Sequence, residues 1–283
     1  MSETAIPFRT RLRRHASLAA GLVITGMFIA IAVLSRFWTP APPTKLNIAG
    51  KLQAPLVSGL AGTDAFGRDI FSMLMVGAWN SLSIAFVSIL IGGAIGVAFG
   101  TAAAAIRGWP EEIILRAADV VFAFPALISA IMIASLIGPG AFTAVVAIGL
   151  FNVPVFIRVS HGVSLRVWAR DFCLAAQAAG KSRLRITVDH VLPNIAGGLA
   201  VQATVQIALA IIVEAGLSFL GLSLAPPAPS WGRMLSDAQT FLGKAPWMAI
   251  APGVTIALAV LGLNLLGDGL RDLFDPRSGD RDP

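Results

Sequence analysis

The chain holds 283 residues, of which 56% are hydrophobic and only 13% charged, with a formal net charge of +6. Soluble domains carry about a quarter charged residues, so this composition excludes an ordinary soluble domain and places the chain in the membrane class. The single cysteine, Cys173, excludes an intrachain disulfide, and in a membrane chain the basic excess is read as topology rather than as affinity for nucleic acid.

A bilayer span needs about 20 apolar residues, and six runs reach roughly that length. The expected fold is therefore an all-α membrane protein with six transmembrane helices. A tail, 1–16, precedes the first run, 17–38. That run follows four arginines and contains Ala30-Ile31-Ala32, so a signal peptide is an alternative. The tripeptide lies inside the run rather than after it, and the run exceeds an ordinary signal core, which favours a retained anchor. Residues 39–80 form a long connection. It opens with "TPAPPT", an extended spacer by its proline content. It closes with "GTDAFGRDIFSMLMVGAWN", where Asp69 suits a first helical turn and Ile70, Phe71, Leu74 and Met75 share a face. This predicts a short interfacial helix leading into the second span.

The core, 81–270, holds the other five spans. They are 81–105, 117–137, 141–159, 191–217 and 247–266, with Pro125 and Pro154 expected to kink the third and fourth. Between spans four and five lies a loop at about 160–190, and between five and six a Pro-rich segment at about 218–246 with two tryptophans. A tail, 271–283, ends the chain. With the N-terminus placed inside, 15 of the 21 lysines and arginines fall on the inner side, so both termini are expected in the cytoplasm.

Gly180-Lys181-Ser182 repeats the end of a phosphate-binding P-loop, but Ala175 stands where that motif needs its first glycine, and the upstream sequence is alanine-rich and helical by propensity. Gly62–Asp69, "GTDAFGRD", has Arg68-Asp69 in place of Lys-Ser. Neither reads as a nucleotide site. The 4–5 loop reads instead as helix, break, helix, with Gly180 as a C-cap, Ser182 as an N-cap and Pro193 opening span five. Alanine-faced helix lets another surface approach closely, and its basic residues offer charged contacts. A loop that only sets topology is the plain alternative.

Asp119, Glu214 and Arg158 lie near span ends, where they are either functional charges or interfacial, internally paired ones. Asn152, Gln202 and Gln206 either line a polar pathway or join helices. No catalytic constellation, nucleotide site or metal-ligand set is recognisable, so no enzyme activity and no resident cofactor are expected of this chain.

Four ordered stretches carry a resemblance. They are "GTDAFGRDIFSMLMVGAWNSL" (62–82), "LAAQAAGKSRLRITVDHVLPN" (174–194), "EAGLSFLGLSLAPPAPSWGRMLSDA" (214–238) and "NLLGDGLRDLFDPR" (264–277), with "RAADVVFAFPAL" (116–127) as a weaker fifth. The chain resembles the permease subunit of ABC importers of the dipeptide/oligopeptide/nickel group. The resemblance implies the type I importer permease fold in a bacterial inner membrane. It implies a second, homologous permease as heterodimer partner, two ATP-binding subunits that hold ATP and magnesium, and an external substrate-binding protein. It also implies that the 4–5 loop carries the "EAA" motif and docks on the ATPase, with Asp171, Leu174, Ala175, Ala176, Ala178, Gly180, Lys181, Arg183, Leu192 and Pro193 as the coupling residues. The motif's glutamate is replaced by Leu174. Asp119, Asn152, Gln202, Gln206 and Glu214 become candidates for a translocation pathway. Asp64, Arg68, Asp69, Trp231 and Arg233 become candidates for docking of the binding protein, from position alone. Peptides are the leading cargo, with nickel complexes, opines or sugars as alternatives. An ion-driven secondary transporter using Asp119 and Glu214 and a non-transporting scaffold subunit are the rival classes; the former predicts inverted repeats, which the sequence does not display.

Overall fold

The computed structural model describes residues 16–274. The arginines at 9, 11, 13, 14, 277 and 281, and most of both terminal tails, lie outside the described residues. Ten α-helices carry the fold among those described: α1 Ala16–Leu34, α2 Ile70–Ile106, α3 Trp109–Phe122, α4 Ala126–Ile137, α5 Ala141–Trp168, α6 Asp171–Ala178, α7 Arg183–Ile186, α8 Leu192–Phe219, α9 Trp231–Ala238 and α10 Trp247–Phe274. A π turn, Thr187–Val191, joins α7 to α8. Five helical stretches are long and apolar enough to span a membrane, or six if α3 and α4 together make one bent span.

The second span differs from expectation. No separate interfacial helix precedes it, because residues 70–80 are the first turns of a single 37-residue helix. At 1.5 Å per residue α2 is about 55 Å long, well beyond a hydrocarbon core of about 30 Å. Asp69 caps it, accepting from the Ser72 N–H at 2.8 Å and the Ser72 Oγ at 2.6 Å. Gly77, inside this helix, leaves room for the Trp231 ring, which a Cβ there would strike.

The third span also differs. It does not kink at Pro125 but breaks, and α3 and α4 meet at 85°. Proline removes a helical N–H and pushes the preceding residue, here Phe124, out of helical geometry. Pro154, by contrast, lies inside an uninterrupted α5. Spans four and six run past their expected ends, to Trp168 and Phe274.

Small residues set the closest packing. A Cβ on Gly92, Gly96 or Gly100 of α2 would strike the α5 backbone at Gly149 O, Val153 O or Ile157 O. Gly21 of α1 meets the backbone of α10 at Leu266, and Gly269 of α10 meets Leu18 of α1. Without a hydrophobic drive between helices in lipid, such close approach supplies the van der Waals contact that holds a bundle. The main core contains Phe28, Ile84, Ile148, Phe156, Ile211 and Trp231. Separate apolar clusters close the two ends. Cys173, Ile186, Val191 and Ile195 lie under the 171–191 loop, and Ile70, Met73, Met234 and Met248 lie at the opposite end.

Candidate functional site: the 171–191 loop and the polar residues of the bundle

Helix α6 ends in a Schellman turn. The Gly180 N–H donates to Gln177 O at 3.0 Å and the Lys181 N–H to Ala176 O at 3.1 Å, with Gly180 at φ +81°. An L side chain disfavours that conformation. Ser182 then caps α7 by accepting from the Arg185 N–H at 3.3 Å. Leu192 N–H reaches back five residues to Thr187 O, which creates the π turn, and Pro193 occupies the first turn of α8. Such π turns occur often at functional sites.

The loop has an inner and an outer side. Cys173 is fully buried and Ala176 and Leu192 are half-buried against Trp168, Ile186 and Val191. Burial pushes the Cys173 thiol up, and Arg170 only partly offsets this, so the thiol is an inert packing group. Asp171, Leu174, Ala175, Ala178, Gly180 and Lys181 are exposed. Phe172, Leu184 and Val188 join Leu174 as exposed apolar side chains, and Leu184 is 76% exposed. None of these three was singled out in the sequence, although Leu184 and Val188 stand four apart. Lys181 and Arg185 share Asp189 at 3.5 and 3.6 Å.

Arg183 serves a different partner. Its Nη1 donates at 2.7 Å to both Ala105 O and Ile106 O, the last carbonyls of α2. A helix C-terminus leaves such carbonyls unpaired and favours a cation. The loop is thus fastened to the longest helix of the bundle.

The candidate pathway residues separate into three groups. Gln206 Nε2 donates to Asn152 Oδ1 at 2.6 Å, and Asn152 Nδ2 donates to Ile148 O at 2.8 Å, both residues being buried. This pair joins α8 to α5. Gln202, one turn away, is half-buried. Asp119 pairs with Arg158, whose guanidinium also lies over the Phe122 ring, and so ties α3 to α5. A second tie, His161 Nε2 to Glu111 Oε1 at 2.6 Å, was not foreseen. Glu214 is fully buried. Ser218 and Ser223 donate to its Oε1 at 2.6 and 3.1 Å, Ser230 donates to Ser218 at 2.9 Å, and Ser81 of α2 faces the carboxylate. Glu214 therefore sits in a closed cluster of hydroxyls.

At the end opposite the loop, the expected docking residues are largely internal. Trp231 is fully buried, with its Nε1–H bonded to Leu74 O at 3.1 Å, so it is a strut and presents no surface. Asp64 is buried and accepts from the N–H groups of Phe66 and Arg68 and from Arg68 Nε. The Asp69 carboxylate is occupied as a cap. Arg68 and Arg233 converge on Asp237 at 3.7 and 3.1 Å. Gly67 passes against Asn47 O at positive φ, which gives the "GTDAFGRD" glycines an architectural role.

The profile described as "Binding-protein-dependent transport system inner membrane component" matches residues 92–280, more than half of the chain. The chain belongs to this family. The dipeptide transport system permease protein DppC of Alkalihalophilus pseudofirmus is 38% identical to this permease over 94% of its chain and 88% of the relative. The glutathione transport system permease protein GsiD of Pectobacterium atrosepticum is 38% identical over 95% and 90%. Among solved structures, a chain of the MetNI methionine ABC transporter in inward-facing conformations matches with a TM-score of 0.61 at 18% identity, covering 72% of the permease and 96% of that chain. The fold is thus that of type I importer permeases. The permease is a multi-pass inner-membrane protein of a transport system, not an enzyme.

Proposed function

We propose that this permease is one half of the translocation channel of an ATP-driven importer for short peptides. The cargo class is supported by relatives named for dipeptides and for glutathione, itself a tripeptide. The 171–191 loop is the surface that meets a separate ATP-binding subunit. The single observation that carries this is its construction: small residues outward on α6, a packed inner side, and Arg183 bonded to the end of α2. A push on α6 reaches the 37-residue α2 through α7 and its Arg183. Two ATPases, which hold ATP and magnesium, drive the exchange of inward and outward states because nucleotide binds the two states with different affinity. A second, homologous permease completes the channel.

Both termini and the loop lie in the cytoplasm, following the basic-residue bias. The substrate-binding protein docks at the opposite end, built from 41–69 and 219–246. Buried Trp231 and Asp64 shape that end from within. Leu174, in place of the motif's glutamate and 52% exposed, makes an apolar contact on the ATPase.

The test is uptake in a strain lacking the gene and in one restored with it. Dipeptides, glutathione and nickel are supplied together, and depletion is followed by mass spectrometry with and without cellular ATP. ATP-dependent loss of dipeptides or glutathione, restored by the gene, is expected. Uptake that follows only the ion gradient, or uptake of nickel alone, overturns the proposal.

A further inference from the structure

A groove of about 450 Å³ runs between α1, α2, α8 and α10. Phe28 and Val33 line it from α1, Trp79 and Phe86 from α2, Ile207 from α8 and Leu263 from α10. Its walls are nearly all apolar, and it opens on the flank of α1, where Ile29 and Val33 are about half exposed. All four helices belong to stretches long and apolar enough to cross the membrane, and a bilayer places acyl chains against an opening on their outer flank. An apolar hollow left empty forfeits dispersion contacts along its lining.

One end of the groove carries a charge. The Arg36 guanidinium lies 5.4 Å from the centroid of the Trp79 ring, which forms the groove wall. Arg36 is exposed, and no described carboxylate pairs with it. Phe37 and Trp38 follow it and are 85% and 57% exposed. Tryptophan side chains collect at the headgroup level of a bilayer. A guanidinium held at that level, beside an acyl-sized groove, matches a phosphate above a hydrocarbon chain.

We propose that this groove binds one anionic glycerophospholipid, with an acyl chain between α1 and the core and the phosphate on Arg36. The lipid fills the hollow between α1 and the core, and so fixes where the first helix stands against the bundle. Basic pockets between transmembrane helices hold such headgroups on the cytoplasmic side, and Arg36, which follows the first span, offers the same chemistry to the external leaflet. The proposal rests on the groove and Arg36 and is independent of the cargo.

The experiment uses the permease purified from membranes with the subunits that accompany it. Native mass spectrometry follows titration with phosphatidylglycerol and with phosphatidylcholine of the same chains. Wild type is expected to hold phosphatidylglycerol more tightly by roughly fivefold, the worth of one basic residue at a lipid surface. Arg36→Gln is expected to abolish the preference while keeping chain-dependent binding. Ser83→Phe, which fills the groove from α2, is expected to remove both. An independent reading on unsubstituted groove walls is quenching of Trp79 by phosphatidylglycerol brominated on its chains, with Trp79→Phe as the reference. Equal retention of the two lipids by wild type, or unchanged preference in Arg36→Gln, overturns the proposal. So does efficient crosslinking of Ile29→Cys to a second permease subunit, which would mean that a helix fills the groove.

Discussion

Arg183 donates at 2.7 Å to Ile106 O, across 77 residues of sequence, and so joins the 171–191 loop to the end of α2. The same nitrogen reaches Ala105 O. A cation at a helix terminus contributes about 0.3–1 kcal/mol near a surface, which is small against the stability of a bundle. Its larger consequence is mechanical. Arg183→Met is expected to leave the protein folded and inserted while transport falls severalfold and ATP hydrolysis by the associated subunits continues. Arg183→Lys, which keeps the charge on a shorter side chain, is expected to retain part of the transport. Parallel assays of hydrolysis and uptake check this. Normal uptake by Arg183→Met would mean that the bond is only a cap.

Gly180 has open space around the position of a Cβ, so volume does not exclude a side chain there. The backbone does, because φ is +81°. A left-handed residue with a Cβ costs roughly 1–2 kcal/mol, and β-branching adds to it. Gly180→Val is expected to distort the Schellman turn, misplace α6 and uncouple transport with the spans intact. Gly180→Asn, which tolerates this geometry better, is expected to be milder. Uptake together with membrane expression levels checks the pair, and wild-type uptake by Gly180→Val would count against a docking role for the turn.

How much of this was legible in the sequence depends on how local each signal is. The spans were readable because an apolar run near 20 residues has few other uses. Gly180, Ser182 and Pro193 were readable because caps act within four residues. The start of α2 was not. Its apolar face of Ile70, Phe71, Leu74 and Met75 reads as an interfacial helix, and nothing local announces that Trp231, 154 residues further on, packs against Gly77. Proline announced a disturbance at residue 125 but not its size, since Pro154 leaves α5 unbroken. Glu214 was visible as an acid near a span end, while its full burial depends on serines that come from α2, α8 and the 219–231 segment. The docking residues were chosen by position, and burial is a property that position does not carry.

Glu214 offers a direct check of that enclosed cluster. Replacing the carboxylate by an apolar group leaves the Ser218 and Ser223 hydroxyls without their acceptor. An unmet buried polar group costs about 1–3 kcal/mol. Glu214→Leu is therefore expected to lower the thermal midpoint of the purified permease. Glu214→Gln keeps an acceptor oxygen and is expected to retain most of the stability. A Glu214→Leu variant as stable as wild type would remove the structural role and revive the charge as part of a pathway.

Asn152 and Gln206 separate the two remaining readings of the polar residues. Their bond is buried between α5 and α8, and interhelical hydrogen bonds of this kind average about 0.6 kcal/mol, up to about 1.7. If the pair only joins helices, Gln206→Leu leaves Asn152 Oδ1 without its donor and destabilises the bundle, and adding Asn152→Leu recovers part of the loss. The coupling between the two substitutions is then favourable and uptake follows stability. If instead the pair contacts cargo, each substitution alters the relative uptake of different cargoes while the thermal midpoint stays put. The first outcome is expected, because Asn152 Nδ2 is already committed to Ile148 O and both side chains are buried. A double-mutant cycle in thermal unfolding, with competition uptake on the same four proteins, decides between them.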